Sequence, residues 1–301
     1  MSTPSTLVVN TNPLLNLLRR GPIQLGTINR VPNLEAHAEG KGVNVARVLG
    51  RLGHRVIVTG FAGGHSGAWL RELIQTEGLD ERFVNTQSPL RMGFMASNEH
   101  SMPTTSILQE GFSLRASECE NLMQTIRESL EESVKLLILS GSVPDPAFAY
   151  LYPMILEAAA KKGVPSWLDA HGEGLLEGLS CKNPPQLAKP NREEFTETKH
   201  WSRVPEVHVT DAGNPVEVFI NGKASYEVVP PSLHEVNPIG CGDCYLAGLA
   251  HGYLEGWNAE SGYRFASACG AANAIKADVA QITREEADAF LDQVEVRRKP
   301  A

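Results

Sequence analysis

Val43-Asn44-Val45-Ala46-Arg47-Val48-Leu49-Gly50-Arg51-Leu52-Gly53-His54-Arg55-Val56-Ile57-Val58-Thr59-Gly60-Phe61 reads as a helix, a stop and a strand. Apolar residues at helical spacing run from Val43 to Leu52, Gly53 ends them, and Arg55 to Phe61 is a short apolar run of strand type. The alternation begins at Thr6-Leu7-Val8-Val9 and returns at Lys135 to Leu139 and Ser166 to Leu168. Between them Ala68 to Glu77 stops at Gly78, and Ser117-Glu118-Cys119-Glu120 reads as a capping box opening another helix. Such alternation predicts an α/β, doubly wound, mostly parallel central sheet with helices on both faces.

Asn12 to Ala36 and Leu90 to Gly111 read instead as strands and turns without helices, which suits a small β-sheet lid over one edge of the main body. Pro215 to Val229 predicts a hairpin around Asn221-Gly222. From Gly242 onward the chain reads as largely helical, with Thr283-Arg284-Glu285-Glu286 as a capping box. No repeat, linker or charge block divides the 301 residues, so a single domain over 1–301, with lid segments at about 12–36 and 90–111, is expected.

Composition narrows the function classes. The formal charge of −8 argues against a nucleic-acid surface and a polybasic membrane patch, so a small anionic ligand needs local basic groups. Five cysteines are an odd, sparse set, which predicts no disulfide framework and a reducing compartment. Met1-Ser2-Thr3-Pro4 lacks the pattern of a signal peptide, and the most apolar stretch, Ala147 to Ala160, is broken by Pro153 and Glu157. A cytoplasmic protein is expected.

Three motifs carry chemistry. In Asn237-Pro238-Ile239-Gly240-Cys241-Gly242-Asp243-Cys244 a tight turn feeds an apolar helix, whose outward-facing amides and dipole favour phosphate charge. Asp243 at that start either caps the helix or acts as general base for an attacking hydroxyl. Glu39-Gly40-Lys41-Gly42-Val43-Asn44 is a second glycine turn into a helix. It is not a Walker A loop, because Gly42 follows Lys41, but Lys41 and Asn44 can close on a sugar phosphate. Lys189-Pro190-Asn191-Arg192-Glu193-Glu194 places Asn191 and Glu194 on one helical face. They form either a cap pair or a site for a hydrated magnesium ion with its nucleotide.

In type, order and context these motifs resemble those of the PfkB or ribokinase-like carbohydrate kinases, from about Val8 to Val294. Gly40 to Arg47, Asn12-Pro13-Leu14-Leu15, Leu139 to Pro144 and Leu90-Arg91 look most like the 1-phosphofructokinase and tagatose-6-phosphate kinase branch. The resemblance implies ATP-dependent phosphorylation of a phosphosugar with magnesium. Fructose 1-phosphate is the first expectation, and tagatose 6-phosphate or fructose 6-phosphate the alternatives. It implies Asp243 as base, Gly240, Cys241 and Gly242 as anion hole, and Asn16, Gly40, Lys41, Asn44 and Arg91 at the sugar. Lys189, Asn191, Thr210, Gly213 and Asn273 would meet the nucleotide, and Asn191 with Glu194 the metal through water. A homodimer through the lid would follow as well.

Four positions depart from the pattern. The family's Asp after Asn-Pro-x-x is Asn16, its glycine before Gly-Lys-Gly is Glu39, and Cys241 replaces an Ala. The segment from Lys189 to Asp243 is shorter by about one average helix of ~12 residues, with Asp211-Ala212-Gly213-Asn214-Pro215 as its nucleotide loop. These favour a second reading, a catalytically weak sugar-phosphate-binding homologue, and predict weak ATP binding. Cys241, at a helix start that favours thiolate and one turn from Cys244, is either an oxidant-sensitive thiol or a small buried filler. Gly60 to Gly67 looks like a dinucleotide loop but breaks the Gly-x-Gly-x-x-Gly spacing. The nine histidines are scattered without a His-x-x-x-His pair.

Overall fold

The computed structural model describes residues 5–98, 102–196, 198 and 200–300. Met1–Pro4, read above for a leader, and residues 99–101 of the second lid segment lie outside the described residues. The chain runs β1 (Ser5–Asn10), β2 (Leu14–Arg20), β3 (Glu35–Glu39), α1 (Lys41–Arg51), β4 (Arg55–Gly60), α2 (Gly64–Thr76), β5 (Asp80–Glu81), β6 (Met92–Asn98) and β7 (Met102–Leu108). It continues through α3 (Ala116–Leu130), β8 (Val134–Gly141), α4 (Leu151–Lys161), β9 (Ser166–Ala170), α5 (Glu173–Ser180), β10 (Leu187–Ala188), α6 (Arg192–Thr196) and β11 (Glu206–Val209). The last part holds β12 (Val216–Ile220), β13 (Lys223–Val229), α7 (Cys241–Leu254), α8 (Ala259–Ala274), α9 (Arg284–Asp288) and β14 (Glu295–Arg298).

Among the described residues ten strands form one sheet in the order β14-β13-β12-β11-β10-β9-β8-β1-β4-β5. Pairing is parallel from β11 through β5 and antiparallel from β11 to β14. Apolar clusters lie on both faces. Val8, Val58 and Ile138 pack with α1, α7 and α8 on one, and Leu7, Leu137 and Leu139 with α3 and α4 on the other. Strands buried on both faces need continuous apolar runs, which is why β1 and β8 were legible as Val- and Leu-rich stretches. In such a sheet ligands bind beyond the carboxyl ends of the strands. Those ends carry Asn10 of β1, Asp169 of β9, Lys189 after β10 and Thr210 after β11.

A separate sheet of order β3-β2-β6-β7 comes from residues inside the two segments read as strands and turns, with β3 running on to Glu39. Leu14 to Leu18 pairs antiparallel with Glu39 to Glu35, and Leu15 to Arg20 parallel with Met92 to Ser97.

Several local expectations shift. Helix α3 is preceded by Arg115, whose amide donates to Glu118 at 2.8 Å, so Glu118 closes the box from the third helical position and Ser117 does not cap. Helix α2 starts at Gly64, four residues before the expected Ala68, and Gly60 to Gly67 is a strand end feeding that helix. The C-terminal region is not helical to its end. Glu295–Arg298 pairs with β13 as an edge strand, hidden in the sequence because its charged residues show no apolar alternation. The Asn221-Gly222 hairpin and the Thr283 capping box form as expected.

Candidate active site

A cleft of about 560 Å³ lies at the carboxyl ends of the central strands, between the small sheet and the start of α7. Its base is the turn Pro238 to Gly242. Gly240 has φ 82°, and a Cβ there would meet Val279 Cγ1 at 2.7 Å, so the turn needs glycine. The Cys241 amide is already committed to Pro238 O at 3.3 Å. The amides heading α7 with no backbone acceptor among the described residues are those of Gly242 and Asp243, so of the three positions expected to form the hole Cys241 is the one whose amide is taken.

Asp243 is 7% exposed, and its Oδ2 accepts from Asn44 Nδ2 at 2.8 Å. Burial pushes its carboxyl up to about 6, the neighbouring charge of Asp169 adding to the rise and Lys41 opposing it. Asn44, expected to offer its amide to sugar hydroxyls, is occupied at both ends. Its Oδ1 accepts from Arg47 at 3.0 Å, and Arg47 is clamped by Glu77 at 2.6 and 2.9 Å. Asn44 thus orients the carboxylate, and α1 braces α7.

Lys41 Nζ donates to Asp169 Oδ1 at 2.9 Å and to Glu194 Oε1 at 3.4 Å. Burial opposes its charge, but Asp169 and Glu194 outweigh burial and hold the ammonium above its ordinary range. Lys189 sits 3.2 Å from Asp169 Oδ2, and its Nζ is 3.1 Å from where a Gly242 side chain would begin. Asp169, fully buried at the end of β9, is the hub of this cluster. It went unread because it belongs to no glycine motif; the available signal was an acid closing the apolar strand Ser166 to Ala170.

Asn191 and Glu194 form the cap pair in full. The Asn191 amide donates to Glu194 Oε2, and the Glu194 amide to Asn191 Oδ1, each at 2.8 Å. Glu194 Oε1, beside Lys41, remains turned to the cleft. Thr210 and Gly213 line the far wall with Asn214 and Pro230, and Gly213 has open space where a side chain would go. Gly40 and Arg91 line the near wall, where Arg91 donates to the carbonyls of Pro13, Asn12 and Gln109. Burial draws its guanidinium below the ordinary range.

Two expected site residues do not line the cleft. Asn273 is fully buried behind the turn, donating to Ile239 O at 2.9 Å and accepting from Ala280 N at 2.7 Å, so it braces the turn. Asn16 is fully buried in β2, its Nδ2 donating to Glu39 Oε1 at 3.1 Å.

Cys241 corrects the thiolate expectation. Its Sγ lies 3.3 Å from Asn273 Nδ2, and burial pushes the thiol up to about 11 despite the helix dipole. Cys244 is fully buried and raised further, and all five cysteines are free. The histidines are not all scattered either. His54 and His251 meet at 2.8 Å, with Glu255 beside them, where α1 and α7 end. Arg284 lies 3.1 Å from His251 Nε2, so the tautomer that frees Nδ1 for a metal sets an N–H against a guanidinium donor.

No helix among the described residues is long and apolar enough to cross a membrane. A model described as pfkB family carbohydrate kinase matches residues 18–285. The chain is 29% identical over 289 residues to the tagatose-6-phosphate kinase of Staphylococcus epidermidis (strain ATCC 12228 / FDA PCI 1200), covering 90% of this chain and 92% of that one. Among solved structures, a possible 1-phosphofructokinase from Thermotoga maritima superposes with TM-score 0.88 at 19% identity, covering 98% of this chain and 100% of that one. The tetrameric inhibited form of phosphofructokinase-2 from Escherichia coli gives 0.84 at 22% identity, covering 96% and 99%. These superpositions bear out the ribokinase-like doubly wound fold with its separate small sheet.

Proposed function

The chain belongs to the pfkB family of carbohydrate kinases, and from that premise we propose that it transfers the γ-phosphoryl of ATP to a free hydroxyl of a sugar phosphate, fructose 1-phosphate first. The observation that carries this reading is Asp243, a buried carboxylate with its pKa raised to about 6 at the head of α7, beside two unpaired amides. A base poised near neutral pH takes the proton of the attacking hydroxyl as the bond to phosphorus forms. The amides of Gly242 and Asp243, the α7 dipole and Lys189 then meet the negative charge spread over the transferring oxygens. Phosphoryl transfer needs such positioning and charge stabilisation more than covalent chemistry.

Magnesium fits the hard oxygen donor that faces the cleft. Glu194 Oε1, with Asn191 beside it, would hold its water shell, and the bound ion would neutralise phosphate charge. Lys41, held by Asp169 and Glu194 and part-exposed in the cleft, would turn its remaining donor to a phosphate oxygen. Thr210, Gly213 and Asn214 offer the wall for the nucleotide, with Asn191 at its edge. Arg91 is the cation at the sugar end.

Tagatose 6-phosphate is the second reading, favoured by the 29% identity to a kinase of that name. A homodimer through the small sheet completes the proposal, supported by Leu25, Ile28 and Ile107, which are 87%, 79% and 65% exposed. Five free cysteines support a reducing, cytoplasmic setting. A coupled ADP-release assay over fructose 1-phosphate, tagatose 6-phosphate, fructose 6-phosphate and the free sugars tests the function. Turnover confined to free sugars, or to none of them, would refute it.

A further inference from the structure

The sugar end of the cleft holds an acid that the mechanism above does not use. Glu39 closes β3 immediately before the Gly40 turn, is 8% exposed, and lines the cleft. One carboxylate oxygen accepts from Asn16 Nδ2 at 3.1 Å. The other has no hydrogen-bond partner, and Glu39 is in no ion pair, among the described residues. The cations around it bond elsewhere: Arg47 to Glu77, Asn44 and the Ala38 carbonyl, Lys41 to Asp169 and Glu194, and Arg91 to three main-chain carbonyls, while His37 lies against Glu35. Asn16 is itself fully buried, and its Oδ1 lacks a partner. Glu39, unlike Asn16, lines the cleft, and a carboxylate so nearly buried with one oxygen short of a donor asks for hydrogen-bond donors from whatever fills it.

We infer that Glu39, oriented by Asn16, is the acceptor for hydroxyl groups of the sugar and selects which face of the phosphosugar lies against the small sheet. The inference rests on the kinase reading. A phosphate or other anion placed against Glu39 would meet a carboxylate directly, whereas sugar hydroxyls donate to its open oxygen. Burial raises the Glu39 carboxyl above the ordinary range, against the Asn16 hydrogen bond and the charges of Arg47 and His37. The hydroxyl-bearing face therefore turns to Glu39 and the phosphate toward Arg91. Sugar phosphates lacking a hydroxyl on that face are poor acceptors even when the reacting hydroxyl is intact.

The test is steady-state kinetics of the wild type and Glu39→Gln on the best phosphosugar and on its deoxy analogues, each lacking one non-reacting hydroxyl. Glu39→Gln is expected to raise the sugar KM by roughly tenfold or more, the loss typical of a hydrogen bond to a charged group, while the KM for ATP and the melting temperature stay as in the wild type. On one deoxy analogue the two proteins should be equal, because the missing hydroxyl is the partner of Glu39. A variant that leaves the parent KM unchanged, or raises it equally on every analogue, overturns the inference. Asn16 and Glu39 side chains touch, so Glu39→Gly should be rescued by adding Asn16→Asp, which returns a carboxylate to the same space. No rescue in a double variant that melts with the wild type also overturns it. Failure of the kinase reading is separate, since the wild type would then turn over no phosphosugar at all.

Discussion

Asp243 shows how much of one residue's chemistry is supplied by neighbours. Its position after Gly-x-Gly was readable; its raised pKa was not, because burial and the charge of Asp169, which raise it, and the Asn44 hydrogen bond, which opposes them, come from elements far apart in the chain. The sign follows from the direction of the shift. The native carboxyl binds its proton more tightly than an exposed one, so the base form prevails only above about pH 6. The rate should therefore climb through that region, and the kcat/KM profile should show an acid limb there. Asn44→Ala removes a donor that favours the carboxylate, so the limb should move to higher pH; a limb that stays or falls would contradict the assignment. Asp243→Asn should lower kcat by ~10²–10⁴ with sugar binding nearly intact, measured by steady-state assay against equilibrium titration. Cys241 marks the opposite limit of sequence reading. A helix start suggested a thiolate, and burial, which the sequence could not show, prevails.

At the scale of elements the apolar runs and glycine stops placed β1, β4, β8 and α1 correctly, since these depend on local periodicity. The misplaced elements depend on context: the largely exposed strand β14 draws its order from pairing with β13 and from Val296 packed on the core, and the cap of α3 uses Arg115, no standard capping residue. The anion turn is likewise held from outside. Asn273, near the end of α8, joins Ile239 O to Ala280 N, so one amide fixes both the turn and the segment behind it. Asn273→Ala leaves a buried carbonyl and a buried amide unpaired, at ~1–3 kcal/mol each. The expected result is a lower denaturant midpoint together with a reduced kcat. Unchanged stability would mean that other groups brace the turn.

For the whole molecule, the layout of sheet and lid was legible from alternation, whereas the hub at Asp169 needed the three-dimensional meeting of β9, α1 and β10. Ile107 on β7 of the small sheet, and Leu25 and Ile28 in the loop joining its strands β2 and β3, are exposed, and the proposed homodimer is expected to cover them. Ile107→Lys should shift the wild-type dimer to monomer in sedimentation velocity, and a monomeric wild type would refute the pairing. The hydrogen bond from Asn44 to Asp243 joins residues 199 apart in sequence. That separation orders events during synthesis. The sugar wall, Lys41 and Arg91 leave the ribosome in the first third of the chain, and the base only near its end. A chain that stops before α7 lacks part of the layer that Val8, Val58 and Ile138 pack against, and on the proposed mechanism it also has no base with which to spend ATP. On that mechanism the capacity to consume nucleotide is the last property the protein acquires.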